Sequence, residues 1–241
     1  RLYGLSFKER KDIPAWQPDV RVFEVTDANG KPLGLMYFDY FKRDNKSGGA
    51  WMSNLVEQSR LLGNSPVIYN VANFTMPAPG QPVLISFDDV STMFHEFGHA
   101  LHGMLSIADY PTLAGTNVPR DFVEFPSQFN EHWALDPQVL GHYARNYKTG
   151  EPIPAALVDK IHKAQGFNQG YELTELLSAS MLDMQWHMLP ASAPLQNVDQ
   201  FEKTALVESH VALRDVPPRY RSTDFLHIWA NGYAAGYYAY Q

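Results

Sequence analysis

The 241-residue sequence has no cysteine, which excludes disulfide staples and thiolate metal sites. It has no run of roughly eighteen apolar residues, so no segment reads as a membrane-spanning helix. Basic residues are in short supply: 19 Lys and Arg face 26 Asp and Glu, for a net charge of −7. The longest basic cluster, Lys8-Glu9-Arg10-Lys11, is accounted for by a solvated turn, and no basic stripe is available to neutralise phosphates. Nucleic acid is therefore not an expected partner, and neither is a membrane. Internal repeats and low-complexity tracts are also missing. The chain starts at Arg1 without a methionine and stops at Tyr240-Gln241 inside an aromatic, helix-like run, so it reads as a piece of a longer protein.

What is present suits a globular core, with 45% hydrophobic residues. Residues 20–25 and 33–40 flank Asp27-Ala28-Asn29-Gly30, a hairpin signal. Residues 67–71 and 83–87 read as two further short strands, separated by the proline-rich loop 76–80. From Asp88 the periodicity becomes helical. It predicts helices over 89–105, 121–134, 137–148, 155–164, 168–188, 199–213 and 225–240, with turns at Tyr110-Pro111, Gly150, Pro190-Ala191 and Pro217-Pro218. The expected class is mainly α with a small N-terminal β-sheet (α+β), with sheet and loops over 1–87 and a helical body over 88–241.

Within the first predicted helix stands "TMFHEFGHALHG", residues 92–103. At about 100° per residue with His95 at zero, His99 falls near 40° and His102 near −20°. Val90, Met93, Phe94, Phe97, Ala100 and Leu101 occupy the opposite side, and Asp88 or Asp89 can cap the amino end. An ordinary wet helix face would carry Lys or Arg, and this one has neither. Residues i and i+4 stack one turn apart, so His95 and His99 can both reach one zinc ion at about 2.1 Å. Glu96, about 100° round from His95, sits beside such an ion, where it can accept a proton from an activated water. His102 lies about 10 Å along the axis from His95, too far for one ion to meet both, which favours a packing or orienting role over that of third ligand.

The third donor must come from elsewhere. In "PRDFVEFPSQFNEHW", residues 119–133, Glu124 and Glu131 are seven apart and share a helical face with Gln128 between them. Either carboxylate can complete a His₂Glu set, and Glu131 can instead orient a ligand from behind. Both can also be plain solvent-facing residues, and periodicity does not choose between these readings.

His95-Glu96-Phe97-Gly98-His99 followed by Glu124, 25 positions after His99 (124 − 99 = 25), resembles the thimet-oligopeptidase-like family of zinc metallopeptidases. "GTNVPRDFVEFPSQFNEHWA", "GYELTELLSASMLDM", "PPRYRS" and "HIWANGYAAGYYAY" resemble its bacterial peptidyl-dipeptidase branch, and the likeness runs along essentially the whole chain. It implies one Zn2+ per chain held by His95, His99 and Glu124, the last being the Glu of a Phe-Val-Glu-x-Pro-Ser-Gln segment at 122–128, with Glu96 as general base. It implies hydrolysis of short unstructured peptides with release of C-terminal dipeptides. The alternatives are an endo-acting oligopeptidase and an inactive metal-binding fragment. It also implies a helical gluzincin-type body truncated here at both ends, a monomeric parent protein and a cytoplasmic location.

Tyr233, Tyr237 and Tyr240 fall at i, i+4 and i+7, so the predicted last helix carries three phenols on one face. Taken alone this is an aromatic packing stripe. By resemblance, His227, Tyr237 and Tyr240 donate hydrogen bonds to the substrate and the developing oxyanion, Tyr240 foremost, while Tyr233 is structural. A phenol with a pKa near 10 stays protonated at neutral pH and donates without adding charge. In "PPRYRS", Arg219 and Arg221 sit on a proline-stiffened turn. They either grip a substrate's terminal carboxylate in a bidentate fork or form surface ion pairs. Gly115 and Thr116, between the zinc motifs, are candidates for a loop lining the substrate cleft.

Overall fold

A computed structural model of the chain describes residues 2–230 and 232–241. Asn231 of the tyrosine segment lies outside the described residues. The chain falls into two compact units, Arg1–Ile153 and Pro154–Gln241. The division therefore falls well beyond the sheet, and the first helices share a unit with it.

The first unit is built on a five-stranded mixed sheet. Its strands are β1 (Ser6–Glu9), β2 (Arg21–Thr26), β3 (Pro32–Phe41), β4 (Trp51–Val56) and β5 (Val67–Phe74), in the order β1-β2-β3-β5-β4. The expected hairpin forms as β2 and β3, with Arg21 opposite Phe38 and Val22 opposite Tyr37. Asp27 organises its turn by accepting from the backbone N–H groups of Asn29 and Lys31, both at 2.9 Å. β3 and β5 pair in parallel, while β4 pairs antiparallel to β5. A parallel pair needs a crossover, and the segment containing β4 provides it. Asp39 at the end of β3 is buried. Trp16 Nε1, Arg43 Nη1 and Lys46 Nζ donate to its carboxylate at 2.7–2.9 Å.

The expected strand at 83–87 does not form. Ser86 instead caps α1 (Phe87–Met104): its Oγ accepts from the N–H of Asp89, whose carboxylate in turn accepts from the N–H of Ser86, both at 3.0 Å. This reciprocal box satisfies two N–H groups that a helix start would otherwise leave open, and it makes Ser86 the cap in place of Asp88 or Asp89. α1 lays Phe97, Ala100 and Met104 against Val25, Met36 and Ile68 of the sheet. Burial of each large apolar side chain in that layer stabilises it by about 1.5–3 kcal/mol.

The helix expected over 121–134 is broken. α2 (Arg120–Val123) and α3 (Phe125–Glu131) meet at Glu124, and a 3-10 turn follows at His132–Leu135. Pro126 has no N–H for the helical ladder, which favours a fresh helix start at that joint. α4 (Pro137–Tyr143) is capped by Asp136 and ends five residues before the expected 148.

The second unit holds α5 (Ala155–Gln165), α6 (Gln169–His187), α7 (Val198–Glu208) and α8 (Leu226–Trp229). The continuous helix expected over 225–240 is not there. α8 stops at Trp229, Gly232 and Ala235 take φ of +79° and +53°, and Tyr237–Tyr240 form a separate 3-10 turn. The three phenols therefore do not share the face of one helix. They gather instead in a core of Ala179, Phe225, Ile228 and Tyr237, against which Leu176, Tyr220, Tyr233 and Tyr240 pack. Among the described residues no helix is long and apolar enough to cross a membrane.

Candidate metal centre

α1 runs for 18 residues without a break, and this regularity places His95 and His99 one turn apart with ring centroids separated by 4.9 Å. The α2–α3 joint brings Glu124 to them. Its Oε2 lies 3.2 Å from His95 Nε2 and 3.1 Å from His99 Nε2, and the ligand atoms of all three residues lie within 4.8 Å of one another. Ligands at about 2.1 Å from a tetrahedral ion stand about 3.4 Å apart. The measured spacing therefore suits a zinc-sized ion, and two imidazoles with one carboxylate form a donor set that zinc accepts.

The ring orientation needed for ligation is also provided. Glu131 Oε1 lies 2.6 Å from His95 Nδ1, which holds the ring with Nε2 turned towards Glu124 Oε2. Glu131 thus fixes the His95 ring from the side away from Glu124. His102 stands outside the group: its ring lies 6.1 Å from that of Phe122, and burial first, then His99, lowers its pKa. Burial pushes the His95 imidazole down, but hydrogen bonds to Glu124 and Glu131 prevail and carry its pKa to about 10.

Glu96 is 7% exposed, and its Oε2 is buried with no hydrogen-bond partner among the described residues. Burial raises its pKa, against the pull of His95 and His99. A carboxylate that is desolvated, next to the donor set and not consumed by another bond is well placed to take up a proton.

Three contributors to this centre escaped the sequence reading. Gly98, within the histidine motif, lets α3 approach α1 closely. A Cβ there would stand 2.6 Å from the Cα of Ser127 and 2.7 Å from the carbonyl oxygen of Pro126. Ser127, fully buried, sets its hydroxyl 2.8 Å from the Glu124 carbonyl oxygen and 3.0 Å from Oε2, fixing that carboxylate. Its signal was local, since a serine three residues after a helix-joint glutamate can reach back to it. Tyr40, at the end of β3, has its pKa raised by burial and then by the charge of Glu96. No local pattern ties residue 40 to residue 96.

The remaining candidates have other surroundings. Gly115 is buried, with φ +54° and its backbone against that of Gly103, and its N–H donates to Ser106 Oγ at 2.9 Å. This explains the glycine by close packing. Thr116 beside it is half-buried. In the second unit, Tyr237 and Tyr240 have ring centroids 5.1 Å apart, Tyr233 stacks on Tyr240 at 5.2 Å, and His227 lies 5.5 Å from Tyr237. The pKa of Tyr237 is raised, chiefly by burial, and the Arg219 charge opposes that rise. Arg221 is ion-paired through Nε with Glu202 Oε1, and Glu202 Oε2 accepts from the N–H and hydroxyl of Ser222 at 2.8 and 3.0 Å.

Comparison with known proteins follows this geometry. The model described as peptidase family M3 matches residues 1–241. The chain is 57% identical over 240 residues to the "Dipeptidyl carboxypeptidase" of Salmonella typhimurium and 58% identical to the protein of that name in Escherichia coli, covering 100% of this chain and 35% of each relative. It is 41% identical over 245 residues to "Oligopeptidase A" of Escherichia coli, covering 36% of that protein. The chain thus spans about a third of the length of the curated relatives it matches.

Proposed function

The chain belongs to peptidase family M3, and from that membership we propose that its parent protein hydrolyses short unstructured peptides at one zinc ion held by His95, His99 and Glu124, releasing dipeptides from the carboxyl end. The observation that carries the reading is the single carboxylate oxygen of Glu124 standing 3.1–3.2 Å from Nε2 of both imidazoles. When bound, the ion supplies a Lewis acid for the scissile carbonyl and the attacking water.

The chain's own groups do the rest. Glu96 takes the proton of the attacking water and hands it to the leaving amine, for which its raised pKa and unshared Oε2 suit it. Glu131 holds His95 in the tautomer that ligates. Assignment of oxyanion and substrate hydrogen bonds to Tyr240, with Tyr237 and His227 beside it, rests on the family resemblance. Their phenols and imidazole are suitable donors.

Dipeptide release is favoured over internal cleavage by the higher identity to the two proteins named dipeptidyl carboxypeptidase than to the oligopeptidase. Of the two arginines, Arg219 is the better grip for a substrate carboxylate, because Arg221 is already paired with Glu202. Comparing cleavage of free and carboxyl-amidated peptides separates the two modes: equal rates would favour the endo-acting reading.

The decisive experiment is Glu96→Gln in the parent protein. Metal content by elemental analysis should be unchanged and turnover should fall by about 10²–10⁴. Hydrolysis at the unsubstituted rate would refute the mechanism.

A further inference from the structure

Asp183 lies within α6, and at 0% exposure it is among the most deeply buried groups of the second unit. Its Oδ1 accepts from the N–H of Ala235 at 2.9 Å, and its Oδ2 from the N–H of Tyr237 at 3.0 Å. His187, one turn further along α6, places Nδ1 2.8 Å from Oδ1. Among the described residues that histidine is its one ion-pair partner. A buried charge persists only where donors surround it, and here backbone amides 52 and 54 residues away provide two of them.

These amides belong to a short stretch whose shape is not helical. Ala235 has φ +53°, a left-handed conformation that disfavours any residue with a Cβ. Internal bonds from Tyr233 N–H to the His227 carbonyl oxygen (2.9 Å) and from Gly236 N–H to the Tyr233 carbonyl oxygen (2.8 Å) fold the stretch on itself. The two bonds from Asp183 tie it to a 19-residue helix. The rings on this stretch interlock, Tyr233 with Tyr240 and Tyr237 with Tyr240, so a shift of the backbone at 235–237 passes to all three phenols.

We infer that Asp183 is the positioning residue of the tyrosine segment: it holds the left-handed turn at Ala235 by capturing the backbone, and through that turn it aims Tyr237 and Tyr240. Its link to turnover rests on the reading of Tyr240 as the oxyanion donor. Asp183→Asn keeps the side-chain shape but sets an amide N–H₂ against one of the two backbone donors, so one bond is lost and the turn loosens.

The test uses the full-length parent protein with Asp183→Asn, Tyr240→Phe and the double variant. Asp183→Asn should keep its metal and lose at least about tenfold in amide exchange protection at Ala235 and Tyr237. It should lower kcat by about 10–10²-fold with KM changed less than about threefold, the pattern of a contact made only in the transition state. Added to Tyr240→Phe it should cost less than about threefold more, because both act through one group. Retained protection at both amides, or fully additive losses, overturns the proposal. If Asp183→Asn does not fold, the unsubstituted protein still decides: Ala235, although exposed, should exchange at least about 10²-fold slower than an unstructured amide, and fast exchange overturns the proposal. Tyr240→Phe with unsubstituted turnover would instead sink the oxyanion reading, leaving the positioning claim to stand or fall on the amide protection in Asp183→Asn.

Discussion

Glu124 in the first unit and Asp183 in the second are both buried carboxylates, 2% and 0% exposed, and each sits at the heart of a candidate functional cluster. What surrounds them differs. One oxygen of Glu124 faces two imidazole nitrogens, groups that can lose a proton and offer a lone pair to an ion. Asp183 has one imidazole neighbour among the described residues, His187, and each of its two oxygens also accepts from a backbone N–H, which cannot do so. A carboxylate oxygen shared by two imidazoles suits a metal ligand, whereas a carboxylate held on both oxygens by amides suits a brace. The supporting chain differs to match: the first cluster hangs on an unbroken helix, the second on a stretch with two left-handed residues at 232 and 235.

The sharpest way to break this contrast is to remove the first carboxylate. Glu124→Ala should abolish stoichiometric metal binding, a loss of affinity beyond the about 10–100-fold typical of outer contacts, and turnover should fall to background. The unit should stay folded by circular dichroism. Metal retained at full stoichiometry would place Glu124 with the braces. Next comes the spacing that delivers it. Gly98→Ala should destabilise the protein by about 1–3 kcal/mol in denaturant titration, because the added methyl meets backbone and not a mobile side-chain tip. Glu131→Gln should leave stability unchanged and weaken metal affinity by about 10–100-fold in competition with a chelator.

A third buried carboxylate sharpens the comparison with the smallest effect. Burial opposes ionisation of Asp39, but hydrogen bonds from Arg43, Lys46 and Trp16 prevail and hold its pKa at about 2. Its folded value lies below the unfolded value near 3.9, so its stabilisation is present above that pH and is lost as pH falls through about 2. Thermal melts between pH 5 and 2 should show this decline, and Asp39→Asn should flatten it.

Legibility in the sequence followed the range of the interactions. The β2–β3 hairpin and α1 were readable because Asp27-Ala28-Asn29-Gly30 and the 3.6-residue pattern of 90–104 act within a few positions. The convergence of His95, His99 and Glu124 came from helix geometry for the first two, while the choice of Glu124 over Glu131 needed the resemblance. The mistaken strand at 83–87 overlooked Ser86 and Asp89, a capping signal written in four residues. β1 and β4 were missed because Ser6–Glu9 and Trp51–Val56 lack a clean apolar alternation and take their shape from neighbouring strands. The failed helix at 225–240 is the instructive case. Its i, i+4, i+7 tyrosines imitate a helix face, but the conformation is settled by Asp183 more than fifty residues earlier, which no local window contains.

The contact at Gly98 has a counterpart in Asn130, whose side-chain N–H donates to the Phe94 carbonyl oxygen at 2.6 Å. One sets how near α3 can come to α1, and the other how far it can drift. Together they work as a caliper whose jaws carry the carboxylate on one side and the imidazoles on the other. In the proposed metal site, the gap between two helices would gauge ion size along with the chemistry of the side chains. A cation with longer bonds, such as calcium at about 2.4 Å, would have to spread the jaws against the Asn130 tie to reach all three side chains.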